Sequence, residues 1–282
     1  MIKLFLHIGG ISFSVCAPKE FSLPDSFLPF VCDAVSAPDF SVTLSQEALA
    51  PQAGTLLFRS TARHVWMDKN ALVYCHLLAD GRELCRAYIA EDFLSARIVL
   101  PQNSPISFGA ALHFIPFGIA FLPHNGIFFH AATVVLHEKA YVFTAPSGGG
   151  KSTHAALWEE NLGAKLLNGD RILLREKDGV FYAYGLPVAG SSFIFLNERA
   201  PVAAVTLLQK AEENRATRAD EKSLAAIMEQ MELPLFHPVL ADKTLAVISA
   251  LSQSIPFYTL ACRPDAAAAH TIYQQIQKEC VL

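Results

Sequence analysis

The residues in this 282-residue chain best arranged for chemistry are Ala145-Pro-Ser-Gly-Gly-Gly-Lys-Ser-Thr153. Three consecutive glycines leave the backbone free of side-chain bulk. Successive N–H groups can then turn inward and form a concave anion site. Lys151 follows at once and can neutralise an anion held there. Ser152 and Thr153 add hydroxyls, and that of Ser152 is placed to sit on a magnesium ion. If Lys151 opens a helix, the positive end of the helix dipole points at the same place. The chemistry is phosphate binding, with Ser147, Gly148, Gly149, Gly150, Lys151, Ser152 and Thr153 as the binding set. The first position of such a loop is usually glycine and here is Ala145, which tolerates positive φ poorly.

Two further residues belong with this loop. Leu166-Leu-Asn-Gly-Asp170 reads as a short apolar strand with an acidic end. An acid there is the natural partner of Ser152 for a metal ion on the phosphates. The other reading of Asp170 is a turn-capping residue. His130 lies on an apolar run, Ile127 to Leu136, just before the strand that enters the loop. If the turn is centred near Glu138, His130 falls opposite Pro146, beside the phosphate site. The other reading of His130 is a core histidine.

The elements that must position these residues are legible in outline. Tyr141 to Thr144 is an apolar strand running into the loop, and Ser152 to Leu162 is a helix closed by Gly163. The turn at His137-Glu138-Lys139 is too short for anything but an antiparallel connection, so the sheet around the loop is expected to be mixed. Arg171–Glu176 and Val180–Tyr184 flank Asp178-Gly179 as a hairpin. Gly185 to Ser192 is a glycine-bounded loop, either a substrate loop or a plain connector. Val202–Leu208 and Phe257–Cys262 read as strands. Glu221–Met231, Ala241–Ser254 and Asp265–Lys278 read as helices. Residues 1–104 are β-rich: alternating apolar residues flank Gly9-Gly10, Asp68-Lys69-Asn70 reads as a turn, and Asp80-Gly81 joins two apolar runs. Ile106 to Pro123 is apolar but broken by His113, Pro116 and two glycines. A buried helix and strand fit it better than a membrane span.

Composition sets outer limits. Hydrophobic residues make up 52% and charged residues 17%, enough to fill a large core. Net charge is −4 with no basic block, which disfavours nucleic acid and anionic membranes as partners. The six cysteines are scattered and form no C-x-x-C or zinc pattern, as expected of a cytoplasmic protein.

The carriers His130-Ala131, Ala145 to Thr153, Leu166 to Asp170 and Gly185-Leu-Pro together resemble the HPr kinase/phosphorylase catalytic domain and the wider phosphoenolpyruvate-carboxykinase-like kinases. The resemblance implies an α/β fold with a mixed sheet: a P-loop kinase core over residues 105–282, preceded by the β-rich region. It implies ATP and Mg2+, with Lys151 and Ser152 as phosphate and metal groups. His130 and Asp170 become catalytic residues, Asp170 standing as the second acid of a pair. The first acid of that pair is Gly169 here. The implied activity is transfer of the γ-phosphoryl group to a hydroxyl of a peptide, a protein or a small molecule. With one acid of the pair replaced, a non-catalytic nucleotide- or peptide-binding module on the same fold remains open. A carboxykinase-type lyase needs a metal-binding Lys/His set and a longer chain. A homo-oligomer is compatible with all of this.

Overall fold

A computed structural model describes residues 1–69 and 71–280. Asn70, in the turn expected at 68–70, lies outside them. The chain is α/β and divides into two compact units. One comprises Met1–Pro123 with Pro234–Ala241, the other His124–Leu233 with Asp242–Leu282.

The first unit carries an eight-stranded sheet. Its strands are β1 (Ile2–Ile8), β2 (Ile11–Ala17), β3 (Phe40–Glu47), β4 (Thr55–Arg59), β5 (Arg63–Asp68), β6 (Ala71–Leu77), β7 (Glu83–Ile89) and β8 (Ser95–Pro101). They lie in the order β1-β2-β3-β8-β7-β6-β5-β4. Both expected hairpins form, β1 with β2 and β6 with β7. The Gly9-Gly10 turn has φ of +60° and +79°, a conformation open to glycine at no steric cost.

The expected boundary at 104/105 moves to 123/124. The reason is packing. Residues 106–124 form two short helices, α1 (Phe108–Ala111) and α2 (Phe117–Ala120), with tight turns between, rather than one helix and a strand. Phe117 and Phe121 set their rings 6.1 and 5.8 Å from that of Phe13 on β2. Burying three aromatic rings together ties the segment to the first sheet. Phe236 returns to the same unit, with its ring 6.2 Å from Tyr74.

The second unit holds β9 (Gly126–His130), β10 (Ala132–Leu136), β11 (Lys139–Thr144), α3 (Lys151–Leu162), β12 (Lys165–Asn168), β13 (Arg171–Lys177), β14 (Val180–Tyr184), β15 (Arg199–Lys210), β16 (Arg215–Arg218), α4 (Glu221–Met228), β17 (Phe257–Cys262), α6 (Ala266–Cys280) and, from Asp242 onward, α5 (Pro238–Ser254). The sheet order is β12-β10-β11-β15-β14-β13-β9, with β17 on β15 and β16 on β17. β10 and β11 are antiparallel, while β11–β15 and β15–β17 are parallel, so the sheet is mixed as expected. Under the loop that follows β11, Trp158 of α3 is fully buried among Tyr141, Phe143 and Tyr273. This aromatic cluster fixes α3 to β11 and so fixes the loop between them. Among the described residues, no helix is long and apolar enough to cross a membrane.

Candidate functional site

β11 ends at Thr144, and Ala145 is buried as the chain turns. Pro146 to Gly149 close a tight turn, the Gly149 N–H donating to Pro146 O at 2.9 Å. Gly148 has φ +71° and Gly150 φ +97°, both left-handed. Gly150 is the N-cap of α3 and offers the helix no side-chain oxygen. The first N–H groups of α3 are therefore not capped by a side chain and face the loop. Ser147, Gly148, Ser152 and Thr153 are exposed.

Ala145 does not have positive φ, so the missing glycine at this position brings no backbone strain. Its methyl instead takes space that Gly149 leaves. A Cβ on Gly149 would lie 2.5 Å from that of Ala145 and 2.8 Å from Pro146 O.

Lys151 is the first residue of α3 and is only 9% exposed. Its Nζ donates to Ala145 O at 3.0 Å, drawing the amine across the loop. Burial pushes its pKa down, and the carboxylate of Asp170 pulls it back up. A buried ammonium with donors to spare can hold an anion.

Asp170 stands just past β12. Asn168, fully buried, sets it there. Its Oδ1 accepts the N–H groups of Asp170 and Arg171, both at 3.0 Å, and its Nδ2 donates to Val188 O at 3.0 Å. This is a side-chain-closed turn, and Asn-Gly-Asp is the sequence signature for it. Asp170 Oδ1 lies 2.9 Å from Nε2 of His130, and Oδ2 lies 3.3 Å from Nε of Arg171. The bond from His130, aided by the charges of His130 and Arg171, holds the carboxyl below its ordinary range despite partial burial. Asp170 is thus ionised at neutral pH. It can bind a metal or accept a proton, and His130 orients it.

His130 reaches this place by a route other than the expected one. The hairpin exists, but its turn is His137-Glu138 and its first strand stops at Ala132, which pairs with Phe143. His130 belongs to β9, opposite Arg171 of β13. The backbone steps at Ala131, whose N–H donates to Asp170 O at 2.9 Å. His130 O accepts the hydroxyl of Thr144 at 3.0 Å. The histidine is therefore beside the loop through a crossing, not opposite Pro146 through hairpin register. Arg263 pairs with Asp265 and takes no part here.

The loop after β14, expected as a substrate loop or a plain connector, brings Gly190 and Ser192 to the end of β12. A Cβ on Gly169 would meet Ser192 Cβ at 2.6 Å and Oγ at 2.8 Å. A Cβ on Gly190 would meet Asp170 Cγ at 2.8 Å and Oδ2 at 3.0 Å. Ser192 fills the place where a side chain at 169 would begin, and Gly190 backs directly onto the carboxylate. Spacing along the sequence gives no sign of this, because the two segments meet only in space.

A divalent ion on a phosphate chain needs few protein ligands, commonly one or two oxygens. The hydroxyl of Ser152 and the ionised carboxylate of Asp170 are of that kind. Among the described residues there is no cluster of three or more His, Cys, Asp or Glu side chains that could hold a metal ion.

No protein-family model matches the chain, and no curated protein matches it. Among solved structures it is similar to the Hpr(Ser) kinase/phosphatase from Coxiella burnetii, at 14% identity with a TM-score of 0.31. That likeness covers 55% of this chain and 96% of the other.

Proposed function

We propose that the second unit is a P-loop kinase core of the phosphoenolpyruvate-carboxykinase-like kind, transferring the γ-phosphoryl group of ATP to a hydroxyl. The acceptor hydroxyl belongs to a peptide, a protein or a small molecule. The observation that carries this reading is the conjunction of a glycine turn, buried Lys151 and ionised Asp170 around one loop mouth. Backbone N–H groups from Ser147 to Thr153 and the Lys151 ammonium hold the phosphates. Ser152 and Asp170 hold Mg2+, which supplies charge neutralisation on the phosphates when bound. Asp170 takes the proton of the acceptor hydroxyl, and His130 keeps its carboxylate aimed and ionised. Phosphoryl transfer is mostly positioning and electrostatics, so this short set is enough.

Gly169 gives the rival reading its support. The first acid of the pair is absent and Ser192 fills the space beside Gly169, as in a module that binds nucleotide without turnover. Incubation of the full chain with magnesium and γ-labelled ATP, with serine peptides and small hydroxy compounds as acceptors, separates the two. The kinase reading expects labelled product that vanishes in Asp170→Asn. ATP binding with no transfer to any acceptor, in the chain and in Asp170→Asn alike, leaves the binding module.

A further inference from the structure

On the kinase reading above, which this inference requires, the chain carries an acceptor of its own: we propose that Ser192 is phosphorylated in cis. Gly190 lies against the Asp170 carboxylate so closely that a Cβ there would stand 3.0 Å from Oδ2. Two residues later the Ser192 side chain fills the space beside Gly169, its Oγ 2.8 Å from where a Cβ on that glycine would be. One tight turn thus brings a primary hydroxyl against Gly169, the neighbour of the Asp170 carboxylate.

The turn is tied down on both sides. Asn168, which positions Asp170, also holds Val188 O at 3.0 Å. The Ser192 N–H and Oγ–H both donate to Ala189 O, at 3.2 and 2.7 Å. The next residue, Phe193, has φ +52° and is 76% exposed. A left-handed conformation is disfavoured at a non-glycine residue, and a phenyl ring in water gains nothing from burial. The segment is held on the strand end by its contacts with Asn168, Gly169 and Asp170, and by the buried Leu186 and Ala189 that precede it.

The step balances with ATP as the only co-substrate. The hydroxyl of Ser192 turns from Ala189 O toward Asp170, and its Oγ attacks the γ-phosphorus. The new Oγ–P bond forms as the bond from phosphorus to the β–γ bridging oxygen breaks. ADP leaves, and the Ser192 proton goes to the Asp170 carboxylate. An acid at position 169 would exclude Ser192 from this place. The absent carboxylate and the inserted hydroxyl are one arrangement.

The test uses the full chain with magnesium and ATP and no added acceptor. Intact mass spectrometry and peptide mapping follow incorporation, and calorimetry follows ATP binding. The expected result is one phosphoryl group per chain, mapped to Ser192, with a first-order rate that does not change with chain concentration. Ser192→Ala and Lys151→Ala should both lose the label. Label at another residue, or a rate rising in proportion to chain concentration, overturns the proposal. So does a chain that binds ATP and labels an added acceptor but never itself, and that result leaves the kinase reading standing. A chain that does not bind ATP at all refutes the kinase reading and this inference together.

Discussion

Replacing Gly169 by Ala should lift the Gly185–Ser192 loop off the end of β12, and the cost can be worked from distances. The new methyl would stand 2.6 Å from Ser192 Cβ and 2.8 Å from its Oγ. Contacts of this kind settle at about 3.5–4.0 Å, so one side must move by about 1 Å. The Oγ can rotate away, but Ser192 Cβ is fixed to the backbone. That backbone is held by the Ser192 N–H to Ala189 O at 3.2 Å. Overpacking that shifts backbone costs about 1–3 kcal/mol. Ser192→Gly removes both offending atoms and by itself loses one hydrogen bond, about 1 kcal/mol. In the double variant the clash is gone, so the two losses should not add, with a coupling of about 1–2 kcal/mol. Urea unfolding of the four proteins in a Trp66→Phe background reads this out, because Trp158, buried in the second unit, then reports that unit alone. A loss below about 0.5 kcal/mol for Gly169→Ala, or additivity to within that amount, would mean that the loop does not rest on the strand end.

Three other expectations concern the loop, His130 and the pH response. Lys151→Ala should weaken MgATP binding about 100-fold by calorimetry, since the buried phosphate charge loses its partner; His130→Ala should spare that affinity yet slow transfer about tenfold or more, and equal rates would return His130 to a purely structural role. His154 packs beneath the loop, accepting the Trp158 Nε1–H at 3.0 Å, and burial pushes its pKa down to about 4. Its ordinary value is about 6.5, so the unfolded chain binds the extra proton first. Stability from this group is therefore full above about pH 6.5 and lost as pH falls toward 4, by about 3 kcal/mol in all. His76, in the first unit, is also pushed down to about 4 by burial and gives its own share. His154→Gln should flatten only the second unit's part of the profile, read by Trp158 fluorescence, and an unchanged slope would contradict the assignment.

Local chemistry made the elements legible. Gly9-Gly10 and Asp80-Gly81 marked hairpins because positive φ is cheap there, and the short polar turn before β11 required antiparallel strands. The Lys-Ser-Thr run marked the start of α3. Partner choice was not legible. His130 sits on a strand that leaves the hairpin at Ala131 and joins β13, and no periodicity within the apolar run 127–136 shows where the ladder changes sides. Residues 106–123 likewise gave their apolarity but not their attachment, which depends on the Phe13 ring on β2. Asn168 could have been found, since Asn-Gly-Asp is a turn signature whose side chain bonds the following N–H groups. Ser192 could not.

The two positions that depart from the usual pattern are each explained by a residue elsewhere. Ala145 is acceptable because its backbone is not left-handed and because Gly149 leaves room for its methyl. Gly169 is required because Ser192 stands where its Cβ would be. Each pair trades side-chain volume across a contact, as close packing demands. A sequence comparison that scores the positions singly would count both as damage to a phosphate site. Scored as pairs, Ala145 leaves the turn and the buried Lys151 as they are, and Gly169 makes room for the Ser192 side chain. The first departure therefore bears on packing alone. The second bears on how the loop that carries Ser192 meets the end of β12.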